Sequence, residues 1–106
     1  MAYEHFRRYC AERRAAGWTV IALTVLPRAQ STLVATFEAD RSTINADIRT
    51  HWREFADGLA DVAADHRIGE FGDQLNKKYF RDGVHLTARG NVIVTAIVAA
   101  AVGAPK

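Results

Sequence analysis

The sequence predicts an α/β protein in which helices and parallel strands alternate. A nearly all-apolar stretch from Trp18 to Leu26 ends at Pro27, and a run without polar alternation is typical of a strand buried on both faces of a parallel sheet. Segments of helical character lie on both sides of it. The elements run helix, strand, helix, strand, helix. Right-handed crossovers would make the strands parallel, as part of a three-layer α/β/α sandwich.

Length and composition indicate one globular domain, which we place at 1–106. Hydrophobic residues make up 49% of the chain and charged residues 25%, a balance typical of a folded protein. The formal charge of +2 is too small and too dispersed to indicate a nucleic-acid partner. The densest basic group is predicted to be the solvated face of a helix, and consists of Arg7, Arg8, Arg13 and Arg14.

Cys10 is the only cysteine, so a disulfide within the chain is excluded. It lies in line with Tyr3 and Phe6 at helical spacing, which predicts a buried packing thiol rather than a nucleophile. Charged residues follow Met1 without an apolar run, so we expect no signal peptide and a cytoplasmic location. The longest apolar run, Val92–Val102, is too short to span a bilayer.

The first helix is predicted at Tyr3–Ala16. Gly17 ends it, because glycine adopts a positive φ without a Cβ penalty. The strand at Trp18–Leu26 follows. Residues 28–36 are expected to form a loop, with a short extended piece at Leu33–Val34.

The clearest helical pattern extends from Asp40, the expected cap, to about Phe55. Its apolar residues recur at intervals of four, four and three, which places them on one face: Ile44, Ile48, Trp52 and Phe55. The charged residues of this segment are expected to point outward: Arg41, Asp47, Arg49 and Glu54. Ser42 is expected in the first turn.

A second strand is predicted at Leu59–Ala63, although this alanine-rich stretch could also remain helical. Asp61 is expected near the end of that strand or in contact with a polar partner. The polar segment 65–78 is predicted to be a surface loop with His66 exposed. The last helix begins at Thr87 or Ala88 and extends to Val102. It is apolar nearly all round and is therefore predicted to be buried on most of its faces.

The stretch with the most specific chemistry places Asp82 three residues before His85, in a turn that precedes the last helix. Thr87 is a suitable N-cap for that helix. A carboxylate in this position can accept from the imidazole Nδ1–H, select its tautomer and stabilise its charged form. The same spacing is common in surface turns, so a purely structural role for the pair stays open.

The segment Asp82-Gly-Val-His-Leu-Thr87, followed by Gly90-Asn91 and an apolar helix, resembles the last motif block of the SGNH (GDSL-type) serine hydrolases. Residues 17–27 resemble the fourth strand of their flavodoxin-like fold. Residues 37–38 and 41–49 resemble the helix that follows this strand.

This resemblance extends from about Tyr3 to Val102 and implies hydrolysis of a carboxylic or acyl ester by a Ser-His-Asp triad. It assigns His85 as the general base and Asp82 as the residue that orients it. The family's nucleophile lies in an N-terminal Gly-Asp-Ser block, and its oxyanion hole also uses a Gly and an Asn from later blocks. None of these blocks occurs here. The chain therefore resembles a C-terminal half, and by itself it is expected to have little or no esterase activity.

The serines of the chain do not supply the missing group. Ser31 and Ser42 have neither a Gly-x-Ser-x-Gly nor a Gly-Asp-Ser setting, so neither is expected to be a nucleophile. No histidine pair has metal-ligand spacing, and we expect no metal and no cofactor. Asp82 and His85 are the only credible ligands for a metal.

The expected partners are an ester substrate and a protein chain. A sheet of two strands has open edges and leaves apolar helix surface uncovered, so we expect self-association or pairing with a chain that supplies the N-terminal half. Two other interpretations remain. The chain could be a catalytically silent α/β interaction module, or an unrelated small α/β binding domain in which Asp82 and His85 are structural.

Overall fold

The computed structural model describes residues 2–29 and 34–104. Within these ranges it contains helices and a small parallel sheet, which confirms the α/β class. The elements are α1 (Ala2–Ala15), β1 (Ile21–Leu23), α2 (Val34–His51), β2 (Gly58–Ala60) and α3 (Ala88–Gly103). Short 3-10 turns occur at Trp52–Glu54, Val62–Ala64 and Asp73–Leu75.

The sheet pairs β1 with β2 in parallel, as predicted, with Ala22 opposite Leu59. Val20 and Asp57 lie directly before the first paired residues of the two strands. The Val20 N–H donates to Asp57 Oδ2 at 2.8 Å, and the Asp57 N–H donates to the Val20 carbonyl at 2.7 Å. The side chain and the backbone of Asp57 together set where the strands begin to pair.

Both strands are shorter than predicted. Beyond their ends, backbone groups bond to polar side chains instead of to a neighbouring strand. The Val25 N–H donates to Asn45 Oδ1 at 2.8 Å, and the Val25 carbonyl accepts from Asn45 Nδ2 at 3.0 Å. Beyond β2, the chain turns into a 3-10 turn in which the Ala63 N–H donates to Thr24 Oγ1 at 2.9 Å. The strands predicted at Trp18–Leu26 and Leu59–Ala63 were therefore too long.

The first helix matches its prediction to within one residue at each end, and Gly17 ends it with φ of 103°. The second helix was placed wrongly, because it already includes Val34. Asp40 is therefore not its cap, and Ser42 is not in its first turn. No glycine or proline lies between Val34 and Asp40 to stop a helix. Of the extended piece predicted at Leu33–Val34, Leu33 lies outside the described residues.

The main apolar cluster joins α1, α2 and one face of the sheet. Its buried members are Cys10, Ala22, Ile48, Phe55 and Ala56. The Phe55 ring lies edge-on to the rings of Tyr3 and Phe6, with centroids 6.2 and 5.7 Å away. Ile44 and Trp52 pack against the same cluster. The predicted apolar face of the second helix and the buried position of Cys10 are thereby confirmed.

α3 contacts both strands of the sheet. At Gly58 a Cβ would lie 3.0 Å from Ile21 Cδ1 and 3.4 Å from the Ala101 carbonyl oxygen, so a glycine lets the helix approach closely. The prediction that α3 is buried on most faces was wrong. Val92 is 68% exposed and Val102 is exposed too, because among the described residues the helix has neighbours on one side only. No described helix has the length and apolar character to cross a membrane.

The prediction that Arg41 points outward was wrong. Its side chain is buried and forms hydrogen bonds to three other residues. Its guanidinium forms a two-pronged ion pair with Glu38, at 2.7 and 2.8 Å. Its Nη1 also donates to the carbonyls of Val25, at 3.1 Å, and Gly69, at 3.0 Å. The side chain thus joins α2 to the end of β1 and to the long loop after β2.

Asp61 lies just after β2 and has polar partners, as predicted. Thr24 Oγ1 donates to it at 2.8 Å, and Arg49 donates through Nε and Nη2 at 2.8 and 3.0 Å. Burial raises the pKa of this carboxyl, but the hydrogen bonds from Arg49 and Thr24 outweigh burial and hold the pKa below its ordinary value.

Replacing Asn45 by alanine is expected to lower the free energy of unfolding by about 1–3 kcal/mol, because the Val25 N–H loses its acceptor in a partly buried setting. Urea denaturation measures this change. The matched control is Thr50→Ala, an exposed position on the same helix, where we expect a change within about 0.5 kcal/mol. Equal stability of the two variants would contradict the role assigned to Asn45.

Candidate functional site

The site is a closed turn that precedes α3. The Arg81 N–H donates to the His85 carbonyl, and the Thr87 N–H donates to the Tyr79 carbonyl, each at 2.8 Å. These bonds belong to an isolated antiparallel bridge. The buried ring of Phe80 anchors the turn in a second apolar cluster with Ile68 and Ile93.

Asp82 and His85 meet inside this turn. Asp82 Oδ2 lies 2.7 Å from His85 Nδ1. Asp82 Oδ1 accepts from the backbone N–H groups of Val84, at 3.0 Å, and His85, at 2.7 Å. One carboxylate oxygen therefore organises the backbone while the other faces the imidazole. The structure brings together the two residues that the sequence singled out.

Gly83 links this turn to the segment that follows β1. Its carbonyl accepts from the Ala29 N–H at 2.8 Å. Its φ of 83° favours glycine, and a Cβ at this position would lie 2.7 Å from the Ala29 Cβ. The sequence pattern did not predict this link to Ala29. The only signal for it was a glycine between the aspartate and the histidine.

Thr87 caps α3, as predicted. Its Oγ1 accepts from the Gly90 N–H at 3.2 Å and donates to the Lys78 carbonyl at 2.7 Å. A Cβ at Gly90 would collide with the Tyr79 carbonyl oxygen. The helix start and the turn are therefore packed directly against each other, which holds His85 relative to α3.

The hydrogen bonds of Asp82 account for its electrostatics. The His85 backbone N–H, the His85 side chain and the Val84 N–H together hold the pKa of the Asp82 carboxyl far below its ordinary value. The side chains of Asp82 and His85 are 46% and 64% exposed. Solvent therefore screens the ion pair, and its contribution to stability is small. Orientation of the imidazole is the main effect of the contact.

The contact with Asp82 uses His85 Nδ1 and leaves His85 Nε2 available to accept a proton. When Asp82 accepts from Nδ1–H, the neutral ring carries its lone pair on Nε2, a tautomer assigned from the hydrogen-bond network. Within residues 2–29 and 34–104 no hydrogen bond is made by Nε2. Chemically, an imidazole held in this way can act as a general base with its orienting group, as in the proton-accepting half of a nucleophilic triad.

No described side chain supplies a nucleophile next to this base. Ser42 lies within α2, and Ser31 is outside the described residues. Cys10 is buried in the main apolar cluster, where burial raises the pKa of its thiol. His66 is 90% exposed, as predicted, and faces Glu70. Across the described ranges no group of three or more His, Cys, Asp or Glu side chains is arranged to hold a metal ion.

Comparisons with models of protein families, with curated protein sequences and with solved structures found no match. The hypothesis of an SGNH-type hydrolase therefore depends on the residues of the chain itself. The most specific of these are the six from Asp82 to Thr87.

The Asp82 carboxyl is expected to stay ionised well below the ordinary aspartate pKa of about 3.9. Because its pKa in the folded state is depressed, its hydrogen bonds stabilise the turn above about pH 4 and are lost as the pH falls through the depressed value. The carboxyl carbon shift of Asp82 in an NMR titration measures this.

In the same titration, the amide shifts of Val84 and His85 should follow the carboxyl. In Asp82→Asn they should not change over the acidic range, because the titrating group is absent. Titration of the wild-type carboxyl at an ordinary aspartate pKa would contradict the geometry.

Replacing Gly83 by alanine is expected to open the turn, because the new Cβ both meets Ala29 and disfavours the positive φ. Faster exchange of the Ala29 and His85 amides with solvent would report this. Gly72→Ala is the matched control, since it has a similar φ of 110° but open space around its Cβ. If both variants leave the Ala29 amide equally protected, the contact with Ala29 is unimportant.

Proposed function

We propose that this chain supplies the histidine and aspartate of a Ser-His-Asp triad in an SGNH-type serine hydrolase that cleaves carboxylic or acyl esters. The observation that carries the proposal is the 2.7 Å contact between Asp82 Oδ2 and His85 Nδ1. It occurs in a turn that two backbone N–H groups and the Gly83–Ala29 bond hold in place.

In the proposed reaction, a serine hydroxyl attacks the carbonyl carbon of the ester while His85 Nε2 takes the hydroxyl proton. His85 then gives that proton to the departing alcohol, and water repeats the sequence on the acyl-serine. Asp82 keeps Nδ1–H oriented and offsets the charge of the imidazolium. Donors of an oxyanion hole stabilise the tetrahedral intermediate. The serine and those donors come from a segment or chain other than the described residues.

We further propose that the described residues are part of a three-layer α/β/α sandwich. Three features support this. α1 and α2 pack on the sheet face that carries Ala22, whereas α3 approaches Gly58 and Ile21. β1 pairs with β2 alone among the described strands. α3 exposes apolar residues that a further element would cover. Additional strands beside β1 would complete such a sheet.

The position of the turn agrees with catalysis. Ligands of parallel α/β sheets bind beyond the carboxyl ends of the strands. The chain leaves β1 and reaches Ala29, which contacts Gly83 directly. The turn that contains Asp82 and His85 therefore lies next to the segment that follows the carboxyl end of β1.

A second candidate is a catalytically silent interaction module. The observation in its favour is that no described nucleophile accompanies His85, while exposed apolar residues remain on α3. A structural role for Asp82 is the third, because its Oδ1 organises the turn backbone. Asp82→Asn retains an acceptor at that place, whereas Asp82→Ala removes it. A large loss of stability in Asp82→Ala but not in Asp82→Asn favours the structural role.

The first experiment determines the DNA upstream of the Met1 codon. We expect an open frame, joined to this chain or encoding a separate one, with a strand followed by Gly-Asp-Ser and a later Gly and Asn. Upstream DNA without such a block, in this frame or in an adjacent gene, would argue against the hydrolase and favour the interaction module.

Hydrolysis of p-nitrophenyl acetate by the assembled protein then tests the residue roles. His85→Ala is expected to reduce kcat by several orders of magnitude, and Asp82→Asn by about 10⁴-fold, because the imidazole loses its orienting acceptor. The control is His66→Ala, an exposed histidine that should leave kcat unchanged. Full activity of His85→Ala would refute its role as the base.

A further inference from the structure

β1 has an edge that no described residue pairs with. On the β2 side, the N–H and carbonyl of Val20 both bond to Asp57. Neighbouring residues of a strand direct these groups to opposite sides, so Ile21 and Leu23 direct theirs to the other edge. Among residues 2–29 and 34–104, β1 is hydrogen-bonded to β2 alone. The groups of Ile21 and Leu23 are therefore free to bond to an added strand.

This open edge has a defined end. The backbone N–H and carbonyl of Val25 face the same side. The N–H donates to Asn45 Oδ1 at 2.8 Å, and the carbonyl accepts from Asn45 Nδ2 at 3.0 Å. Arg41 adds a further bond to the Val25 carbonyl at 3.1 Å. A strand docked on β1 can pair with Ile21 and Leu23 but has no free backbone group to pair with at Val25.

A groove of about 380 Å³ lies beside the beginning of β1. Tyr9 and Trp18 in its wall are largely exposed, so it has apolar surface for side chains of a docked strand. Its cation is Arg13, which stacks over the Tyr9 ring at 5.2 Å. No acidic residue lines the groove. An acidic side chain at the amino end of the docked strand would therefore complement it.

A second copy of this chain is a poor match for that charge. Paired through the same edge, it would present residues 18–27, which contain no aspartate or glutamate. It would also bring no serine near His85, since neither residues 18–27 nor the adjoining groove lining contains one. The occupant is a strand of different sequence.

The direction of that strand follows from the position of the site. Beyond β1 the chain reaches Ala29, whose N–H bonds to Gly83 between Asp82 and His85. A strand parallel to β1 would leave the sheet at this same end, the end at which the chain reaches the turn of Asp82 and His85. An antiparallel strand would place its carboxyl end near Trp18 instead.

We propose that the open edge of β1 docks a parallel, apolar β-strand of another polypeptide segment, with an acidic residue near its amino end and its carboxyl end directed toward the turn of Asp82 and His85. The docked strand bonds to Ile21 and Leu23, ends at the Asn45 amide and places its acid beside Arg13. The completion of the site by the docked segment rests on the proposed function, whereas the docking itself does not.

The experiment titrates the full chain with two short synthetic peptides of alternating valine and threonine, one with glutamate and one with lysine near the amino end. NMR follows the exchange of backbone amides with solvent. We expect the glutamate peptide to slow exchange at Ile21 and Leu23 and to bind about tenfold more tightly than the lysine peptide. A paramagnetic label at its carboxyl end should broaden the signals of His85 and not those of Trp18.

Arg13→Glu is expected to reverse the preference between the peptides, whereas Arg8→Glu, an exposed position on the same helix, should leave it unchanged. Unprotected amides at Ile21 and Leu23, an unaltered preference in Arg13→Glu, or broadening at Trp18 would each overturn the proposal. Protection of these amides by dimerisation of the chain alone would also overturn it. These NMR readouts do not depend on catalysis. Docking of the strand and hydrolysis of the ester can therefore succeed or fail independently of each other.

Discussion

The side-chain amide of Asn45 forms the two backbone hydrogen bonds at Val25 that a neighbouring strand would otherwise form. Much of the chain is arranged around that contact. Buried backbone groups without partners cost about 1–3 kcal/mol each, more than a typical hydrogen bond contributes. Satisfying Val25 therefore determines how α2 crosses the end of β1. Arg41 extends the arrangement to the loop at Gly69, and Arg49 extends it to Asp61. These polar contacts act together with the apolar face of Ile44 and Ile48 in setting the position of this helix.

The apolar contacts are more extensive on one side of the sheet than on the other. Rings from α1 enclose Phe55 on the α2 side, whereas α3 presents Val92 and Val102 to solvent. A two-stranded sheet has little stability of its own and depends on what packs against it. The proposed association with a further segment would cover the exposed side.

Local patterns in the sequence predicted the features that depend on neighbouring residues. The apolar face from Ile44 to Phe55, the stop at Gly17 and the cap at Thr87 are of this kind. Asp82 and His85, three residues apart, were also found together. Other features depend on distant partners: the burial of Arg41 requires the Gly69 carbonyl, and the link between Ala29 and Gly83 joins segments far apart in sequence. Spacing along a chain contains no information about such contacts.

The turn at Asp82 and His85 is built from contacts between residues close in sequence, and it is anchored by the buried ring of Phe80. Its conformational entropy is therefore lost when this chain folds, not when a substrate or another segment arrives. An incoming hydroxyl would meet an imidazole whose tautomer and orientation are already selected. Under the proposed function, the preorganised half of a catalytic site would in this way reside in one polypeptide segment, while the reactive atom is contributed by another.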